Sequence, residues 1–588
     1  VTSPRTVSVH VDVPAVDRAF DYRVPDELAD RIVPGTIVRV DLAGRRVRGW
    51  VVALDPESPP GVTLAPLRQV SGIGPDANVQ ALCRWAAWRW AGRTATFLRL
   101  ASPERRVSTV VRQEHRPPRV RGHERATELL ERGEGVHLLE YPVDGEPVDV
   151  ALAAAELGQS IVVAPSATTV TRVGTGLRRA GAFAARWPRD FAAAAAGATV
   201  VGGRGAVFAP APVLRSIVVI DEHDERLQNE ASPTWNAREL AIERARRAGV
   251  PCLLVSPVPS LEARRAAASG PVVDRAAFRA GWPTVRVVDR REEDRGRSGL
   301  FAPALVEQIR LTLDAGERVV CVLNRTGRAR LLACRTCGGL LDCELCGATV
   351  RQDDAGELVC ARCDTRRPRV CRACGSTATA NLRPGVSTVR EQLEALVREP
   401  VCSLTGGERP GPSDPALDRA RVVVGTEAVL HRVDRAGLVA FLEFDAELLA
   451  PRYRAAEQAL ALVVAAGRLT GGRGRSLGSV LLQTRAPEHP VVRASVRADP
   501  DELAEAEWDR RVALADPPAA TLAVVGREAA PEFMVRLELP AGVEQVGPDE
   551  RGRWVLRSER AEPLLDALAA VERPPGRLRL WVDPARTG

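Results

Sequence analysis

Lysine is absent from all 588 positions, so every one of the 82 side chains counted as Lys or Arg is an arginine. Chemistry that requires a compact side-chain ammonium is thereby excluded. Methionine occurs once, and the abundance of Ala, Arg, Gly and Pro points to genomic bias as part of the cause. No apolar run approaches the ~20 residues that span a bilayer; the Ala-rich stretch at 191–201 is far too short. The opening residues VTSPRTVSVHVDV read as a strand, not as a basic-then-apolar leader. A soluble cytoplasmic protein without a membrane partner is therefore expected. Its length suggests roughly three to five domains. The net charge of +7 and pI near 9.0 lean toward a polyanionic partner.

What the chain does have is concentrated sulfur. Eight of its twelve cysteines form four consecutive C-x2-C pairs between Cys334 and Cys374. Each pair puts two thiolates on one turn, and two pairs close a four-thiolate zinc site, so two Zn2+ per chain are expected. The pairs are separated by five, thirteen and seven residues, which favours a nested arrangement. Cys334, Cys337, Cys371 and Cys374 would take one ion and Cys343, Cys346, Cys360 and Cys363 the other, with consecutive pairing still open. Sulfur fills every coordination position, leaving none for a catalytic water, so the ions are structural. Seven arginines from Arg335 to Arg372 stand ready to screen the negative clusters.

Hydropathy patterning predicts an α/β multidomain chain. Residues 1–103 alternate apolar and polar positions, giving a β-rich domain with a Trp-rich helix near 81–92. Residues 104–125 are Arg-rich and Pro-interrupted, a flexible basic connector. Strand-then-helix alternation over 126–265 and again over 266–500 predicts two parallel α/β lobes, the second carrying the cysteine insertion 334–374. Residues 501–588 read as a small α+β domain.

The first lobe invites a search for a nucleotide site. In RSIVVIDEHDE, Asp221, Glu222 and His223 follow an apolar strand directly, where α/β sheets bind ligands and an Asp often holds magnesium. Yet the turn after GVHLLEY reads PVDGEPVDVALAAA, without the lysine, the Ser/Thr or the second glycine of a phosphate-binding loop. Asp144, Glu146 and Asp149 would repel phosphates, so bound ATP and Mg2+ are not expected.

In its order of motifs the chain resembles the PriA replication-restart family over nearly its whole length. The resemblance rests on LNRTGRARLLACRTCG and the remaining cysteines ending in CRACGS. It is supported by FDY, VVIDEHD, SPVPSLE, VVVGTEAVL, FDAELLAPRYRAAEQ, AAGR and TRAPEHPVV. It implies that the first hundred residues capture a DNA 3′ end through Phe20, Asp21, Gly44 and Arg68, the last standing where relatives have lysine. It also implies two helicase-like lobes, branched and single-stranded DNA as partners together with other primosome and restart proteins, and a nucleoid-associated address. A monomer is expected.

The departures cluster on the ATP machinery. Ser166 replaces the acid of one family motif, His431 replaces a lysine, and Val464 replaces a glutamine. The arginine motif is two residues longer between Gly467-Arg468 and Gly472-Arg473, leaving either Arg473 or Arg475 for the finger position. The winged-helix domain is shortened to the connector. Asp221, Glu222, His223, Arg468 and Arg473 are accordingly vestigial, and a restart protein without helicase activity is expected. The rivals are an active ATP-dependent 3′–5′ helicase with an atypical site, and a zinc-dependent nucleic-acid binder unconnected with forks.

Overall fold

The computed structural model describes the chain except for residues 1–4, 14–15, 58–62, 292–299, 324–330, 354, 383–385, 405–414, 474–477 and 586–588. Alternation along Thr6–Val11 (β1) sends Val7, Val9 and Val11 into one core. With β2 (Ala19–Arg23), β3 (Thr36–Leu42), β4 (Arg45–Leu54) and β5 (Gln69–Ile73) it forms an antiparallel sheet in the order β2-β1-β4-β3-β5. The chain entering β5 also pairs with β2: Arg23 N donates to Ala65 O and Leu67 N to Arg23 O, both at 3.0 Å. The sheet therefore closes on itself around Val38, Val40, Val51 and Leu67. Helices α1 (Ala77–Arg89) and α2 (Thr94–Leu100) cover it. Trp50 is fully buried and donates from Nε1 to Ser102 Oγ at 2.8 Å, and Trp90 is buried beside Trp85, so these indoles pack and do not stack on bases.

The connector is not free. Its backbone is tied to the barrel where Ile73 N donates to Val107 O (2.8 Å), and strapped across the first lobe by Gln113 N to Ala196 O (2.9 Å), Arg119 N to Ala180 O (2.7 Å) and His123 N to Asp149 O (2.9 Å). The carbonyls of Ala180 and Ala196 end the helices 167–179 and 191–195, where the last turn has no intrahelical donor. An Arg-rich segment without periodicity reads as loose, but its amides find those waiting acceptors.

The first lobe holds α3 (Glu124–Glu131), β6 (Gly135–Glu140), α4 (Pro147–Leu157), β7 (Ser160–Val163), α5 (Ala167–Arg179), β8 (Ala184–Arg186) and α6 (Phe191–Ala195). It continues through β9 (Thr199–Gly202), β10 (Ser216–Ile220), α7 (Ala237–Ala248), β11 (Pro251–Ser256), α8 (Leu261–Ala266), β12 (Val272–Val273) and α9 (Arg275–Gly281). Its seven strands are all parallel in the order β12-β6-β11-β10-β7-β9-β8, and β7, β9, β10 and β11 are wholly buried, as sheets covered on both faces require. The sheet thus runs past residue 265, to Val273.

The second lobe begins with β13 (Thr284–Asp289), α10 (Pro303–Asp314) and β14 (Val319–Val322). The cysteine module follows with short strands β15 (Leu331–Cys334), β16 (Val350–Gln352), β17 (Leu358–Cys360), β18 (Arg366–Arg367) and β19 (Thr379–Leu382). The lobe resumes with α11 (Val386–Val397), β20 (Val401–Leu404), α12 (Pro415–Arg419), β21 (Val422–Gly425), β22 (Leu438–Phe441), α13 (Asp445–Leu448), α14 (Ala455–Thr470) and β23 (Ser479–Thr484). Its six parallel strands run β13-β23-β22-β14-β21-β20. Helices α15 (Pro490–Arg497) and α16 (Pro500–Leu514) pack against it, so α16 sits with this lobe although the small C-terminal domain was expected from residue 501. That domain's sheet starts only at β24 (Thr521–Gly526), joined by α17 (Ala530–Arg536), β25 (Val543–Val546), β26 (Trp554–Ser558), α18 (Ala561–Ala570) and β27 (Arg579–Val582). It docks on the other end of the chain: Trp88 Nε1 donates to Asp566 Oδ1 (2.8 Å) and Thr234 Oγ1 to Val582 O (2.8 Å).

Buried charge joins the two lobes. Arg238 Nη1 donates to Glu222 Oε2 (3.0 Å) and Ser260 Oγ (2.9 Å), while Nη2 lies 3.5 Å from Glu262 Oε2. Glu262 pairs in turn with Arg454 of the second lobe, and Glu457 pairs with Arg511 of α16 while accepting from Leu261 N at 3.3 Å. Burial alone would raise the Glu262 carboxyl, but the guanidiniums of Arg454, Arg238 and Arg511 hold it down at about 2. Removing one partner leaves charge uncompensated in the interior, so Arg238→Ala is expected to cost about 3–5 kcal/mol in urea unfolding. An exposed control such as Arg125→Ala should cost under ~0.5 kcal/mol.

Candidate functional site

The cysteine module is built from four repeats of one turn. Each C-x2-C pair is followed by a residue in the left-handed region: Gly338 (φ 81°), Gly347 (φ 69°), Asp364 (φ 55°) and Gly375 (φ 72°). The three glycines donate their N–H to the carbonyl of the first cysteine of their pair, at 3.1, 2.8 and 2.8 Å, which folds both thiols toward one point. The result is two four-sulfur clusters, Cys334/Cys337/Cys371/Cys374 and Cys343/Cys346/Cys360/Cys363, each with its ligand atoms within 4.8 Å of one another. The nested arrangement is the one adopted. Sulfur–sulfur distances of 3.4–3.5 Å are far beyond a disulfide's ~2.05 Å and near the ~3.8 Å edge of a tetrahedron with ~2.3 Å metal–sulfur bonds.

The expected screening by arginine is mostly replaced by backbone. Thr336 N donates to Cys334 Sγ (3.4 Å), and Arg362 N and Cys363 N donate to Cys360 Sγ (3.3 and 3.4 Å). A hydrogen bond from Cys346, with those amides, outweighs burial and pushes the Cys360 thiol down to about 5. The guanidiniums turn to carboxylates instead, Arg366 to Asp353 (2.8 Å), Arg372 to Glu344 (3.7 Å) and Arg362 to Asp516. The last pair and Thr349 N to Leu449 O (2.9 Å) fasten the inner cluster to the second lobe.

At the end of β10, Asp221 has φ 51° and accepts from Arg468 Nη1 at 2.9 Å across the lobe boundary. Arg468 also donates from Nε to Val143 O (3.4 Å). Glu222 faces the other way, into the interior: besides Arg238 it accepts from Ser260 N (2.8 Å) and Ser260 Oγ (2.7 Å). His223 Nδ1 bonds Ser256 Oγ at 2.8 Å, and burial holds its imidazole below the ordinary range. Arg473 donates to Val496 O (3.0 Å), so of the paired arginines Arg468 alone is brought to Asp221 among the described residues; Arg475 lies outside them. Ser166 caps α5, accepting from Thr169 N at 3.0 Å, and Val464 is core.

The turn between β6 and α4 lines a cleft of about 670 Å³ with His123, Tyr141, Asp144, Gly281 and Gly472. Two of its amides are engaged and one is missing. Gly145 N donates to Pro142 O (3.0 Å), Asp149 N donates to Glu146 O (3.1 Å), and Pro147 at the first turn of α4 has no N–H. A phosphate cradle needs convergent free amides and positive charge; this turn presents Asp144, Glu146 and Asp149. Helix α9 presses on it, since a Cβ on Gly281 would come within 2.2 Å of Asp144 Oδ1, and so does the second lobe, since one on Gly472 would come within 3.1 Å of Asp144 Oδ2. Behind the turn, Glu140 is buried 3.3 Å from Arg264, and burial followed by the neighbouring Asp501 pushes its carboxyl up to about 7.

In the N-terminal barrel, strand alternation puts the adjacent Phe20 and Asp21 on opposite faces of β2. Tyr22 and Phe20 lie toward the core, whereas Asp21, on the opposite face of β2, accepts from Ser8 Oγ. The Arg18 guanidinium sits 4.7 Å over the Phe20 ring. Gly44 (φ 76°) completes the β3–β4 turn with open space beside it. Arg68 Nε donates to Asp41 Oδ2 at 2.6 Å, and Tyr22 Oη donates to the Asp41 carbonyl at 3.3 Å. Asp41, Ser8 and Arg18 were not legible beforehand, because nothing local distinguishes them from other polar strand positions.

Two measurements check these sites. Elemental analysis is expected to find two metal ions per chain and about one in Cys346→Ser, with full loss from both clusters indicating that they fold as one unit. The folded-state pKa of Glu140 is raised, so its contribution to stability is present below about pH 4.5 and lost as pH rises toward 7. Glu140→Gln should therefore gain on wild type by about 1–3 kcal/mol at pH 8, with the gap closing by pH 5 in urea titrations.

The 3′DNA-binding domain (3′BD) of PriA matches residues 8–103. The replication restart protein PriA of Bacillus subtilis is 30% identical over 346 residues, covering 55% of this chain and 43% of the relative. That of Treponema pallidum is 30% identical over 378 residues, covering 59% and 56%. The chain thus spans about half the length of these relatives. The probable replication restart protein PriA of Mycobacterium leprae is 27% identical over 634 aligned positions, covering 96% of this chain and 95% of the relative. Among solved structures, the DUF1998 helicase MrfA bound to DNA and AMPPNP aligns with 68% of this chain and 55% of its own at 12% identity and a TM-score of 0.33, too loose a likeness to carry weight. By its matched N-terminal domain, the curated relatives and one alignment running almost end to end, this chain is similar to the replication restart protein PriA.

Proposed function

We propose that this chain is a replication-restart protein that binds branched DNA at stalled forks and recruits other restart proteins, without hydrolysing ATP or unwinding duplex itself. One observation carries the reading: the turn Tyr141–Asp149 offers three acids, a proline and no cation where a triphosphate would need converging amides and positive charge. The burial of Glu222 against Arg238 and Ser260 supports it, since an acid held by three hydrogen bonds is not free to orient an attacking water. In this reading both cysteine clusters hold zinc, consistent with four-thiolate coordination, and serve as shape for partner docking. The N-terminal domain holds the 3′ end of a nascent strand, with Phe20 as apolar wall, Asp21 as acceptor for the 3′-hydroxyl, Gly44 giving backbone access and Arg68 near phosphate. The protein acts as a cytoplasmic, nucleoid-associated monomer.

One observation favours a second reading. Arg468 reaches across the lobes to Asp221, as a working nucleotide site would need. An active 3′–5′ helicase using Asp221, Glu222, Arg468 and Arg473 is that alternative. DNA-stimulated ATP turnover decides between them: none above background is expected, and a rate above ~1 per second abolished by Glu222→Gln would establish the helicase. Forks ending in 3′-hydroxyl should bind more tightly than those ending in 3′-phosphate, and Asp21→Asn should remove that difference; equal affinity in wild type would point to a binder unconnected with forks.

A further inference from the structure

The strap across the first lobe carries a feature that neither the barrel nor the lobes explain. Arg105, Arg106, Arg112, Arg116, Arg119 and Arg121 are all exposed, and among the described residues none makes an ion pair with a carboxylate. Some exposed arginines elsewhere find one, as Arg46 and Arg68 do with Asp41, Arg291 with Asp289 and Arg497 with Glu502; the strap is set apart by six in seventeen residues. Between 105 and 121 the only acid is Glu114.

The backbone fixes these charges in a row. Amides of Gln113 and Arg119 are tied to Ala196 and Ala180, and Gly122 lies so close to α4 that a Cβ there would meet Ala153 N at 2.0 Å. Pro117 and Pro118 hold the chain extended between Arg116 and Arg119. Arg119 Nε comes within 3.3 Å of where a Cβ on Gly181 would sit, just past the exposed Arg178 and Arg179 that end α5. Like charges are therefore gathered with nothing described to neutralise them. Converging guanidiniums repel in the free protein and are relieved by a polyanion, whose bound counterions they displace.

We propose that the strap is a phosphate track: its arginines hold the backbone of DNA leaving the N-terminal domain and lead it across the first lobe. The geometry selects a linear polyanion over a compact acidic surface. Seventeen residues in extended form reach at most ~55 Å, with charges one to six residues, or ~3–20 Å, apart, and the regular succession of phosphates along a strand can meet such a row. The track begins at the barrel, where Val107 O accepts from Ile73 N. The inference rests on the DNA-binding reading above, but not on the 3′-end pocket.

The test is fluorescence anisotropy with the full chain on three labelled probes: a fork ending in 3′-hydroxyl, the same fork ending in 3′-phosphate, and a single strand. Substituting Arg112, Arg116, Arg119 and Arg121 together by Ala should weaken binding to both forks alike, by roughly tenfold or more near 100 mM salt, and flatten the slope of log K against log salt by about 3. The same four positions changed to Lys should keep the wild-type slope, since a phosphate contact needs charge and not a fork of donors. Thermal unfolding should not move, because all four side chains are exposed. The single-strand arm distinguishes which DNA lies on the track: an equal loss there assigns a single strand, and a loss confined to forks assigns duplex. Unchanged slope in the Ala variant, or loss in the Lys variant equal to that in Ala, overturns the proposal. A wild type indifferent to the 3′ end with the slope still falling removes the pocket and leaves the track standing, whereas no DNA binding by wild type removes both.

Discussion

The interior of this protein is organised around carboxylates that arginine has to neutralise, because no other strong cation is available to the chain. Glu222, Glu262 and Glu457 lie along the face where the lobes meet, each matched by a guanidinium from another element: Arg238 from the first lobe, Arg454 and Arg511 from the second. Guanidinium is planar, weakly hydrated and always charged, which makes it the cation best suited to a dry ion pair. With the partners in place the pairs offset their own desolvation. With one removed, the survivor is a bare charge in low dielectric.

That arrangement sets what the neighbouring cleft can do. An acid at the carboxyl end of a central strand is in the position from which metal-bound nucleotides are usually held. Here Glu222 turns inward and Asp221 meets Arg468, so both acids are satisfied by protein. The facing turn has two of its amides tied to its own carbonyls and carries three more acids. The described contacts join the two lobes by ion pairs. The same contacts fix the surfaces that surround the lobes: the strap lies on helix ends of the first, and the inner cysteine cluster is fastened to the second through Thr349 and Arg362.

Much of this could be read before any coordinates. Four C-x2-C pairs specify two four-sulfur clusters because the chemistry is local: a tight turn, a left-handed residue after it and two thiols at a fixed bite. Runs such as Ile217–Ile220 bounded by acids specify a buried parallel strand, since only a sheet covered on both faces tolerates them. The missing phosphate loop is equally local, being a matter of which residues stand in one turn.

What only the tertiary structure decided depends on distance along the chain. Nested closure of the cysteine clusters joins residues forty positions apart, and spacing alone allowed consecutive pairing as well. The segment 104–125 reads as loose because it lacks periodicity, yet it is held by carbonyls of helices far downstream, and no local pattern reports an acceptor elsewhere. Phe20 and Asp21 are adjacent in FDY but face opposite sides of β2, and Arg68 is engaged by Asp41, twenty-seven residues away. Sequence fixes chemistry wherever the partners are neighbours in the chain. Where they meet across the fold, as Arg468 meets Asp221, only packing decides which charge finds which.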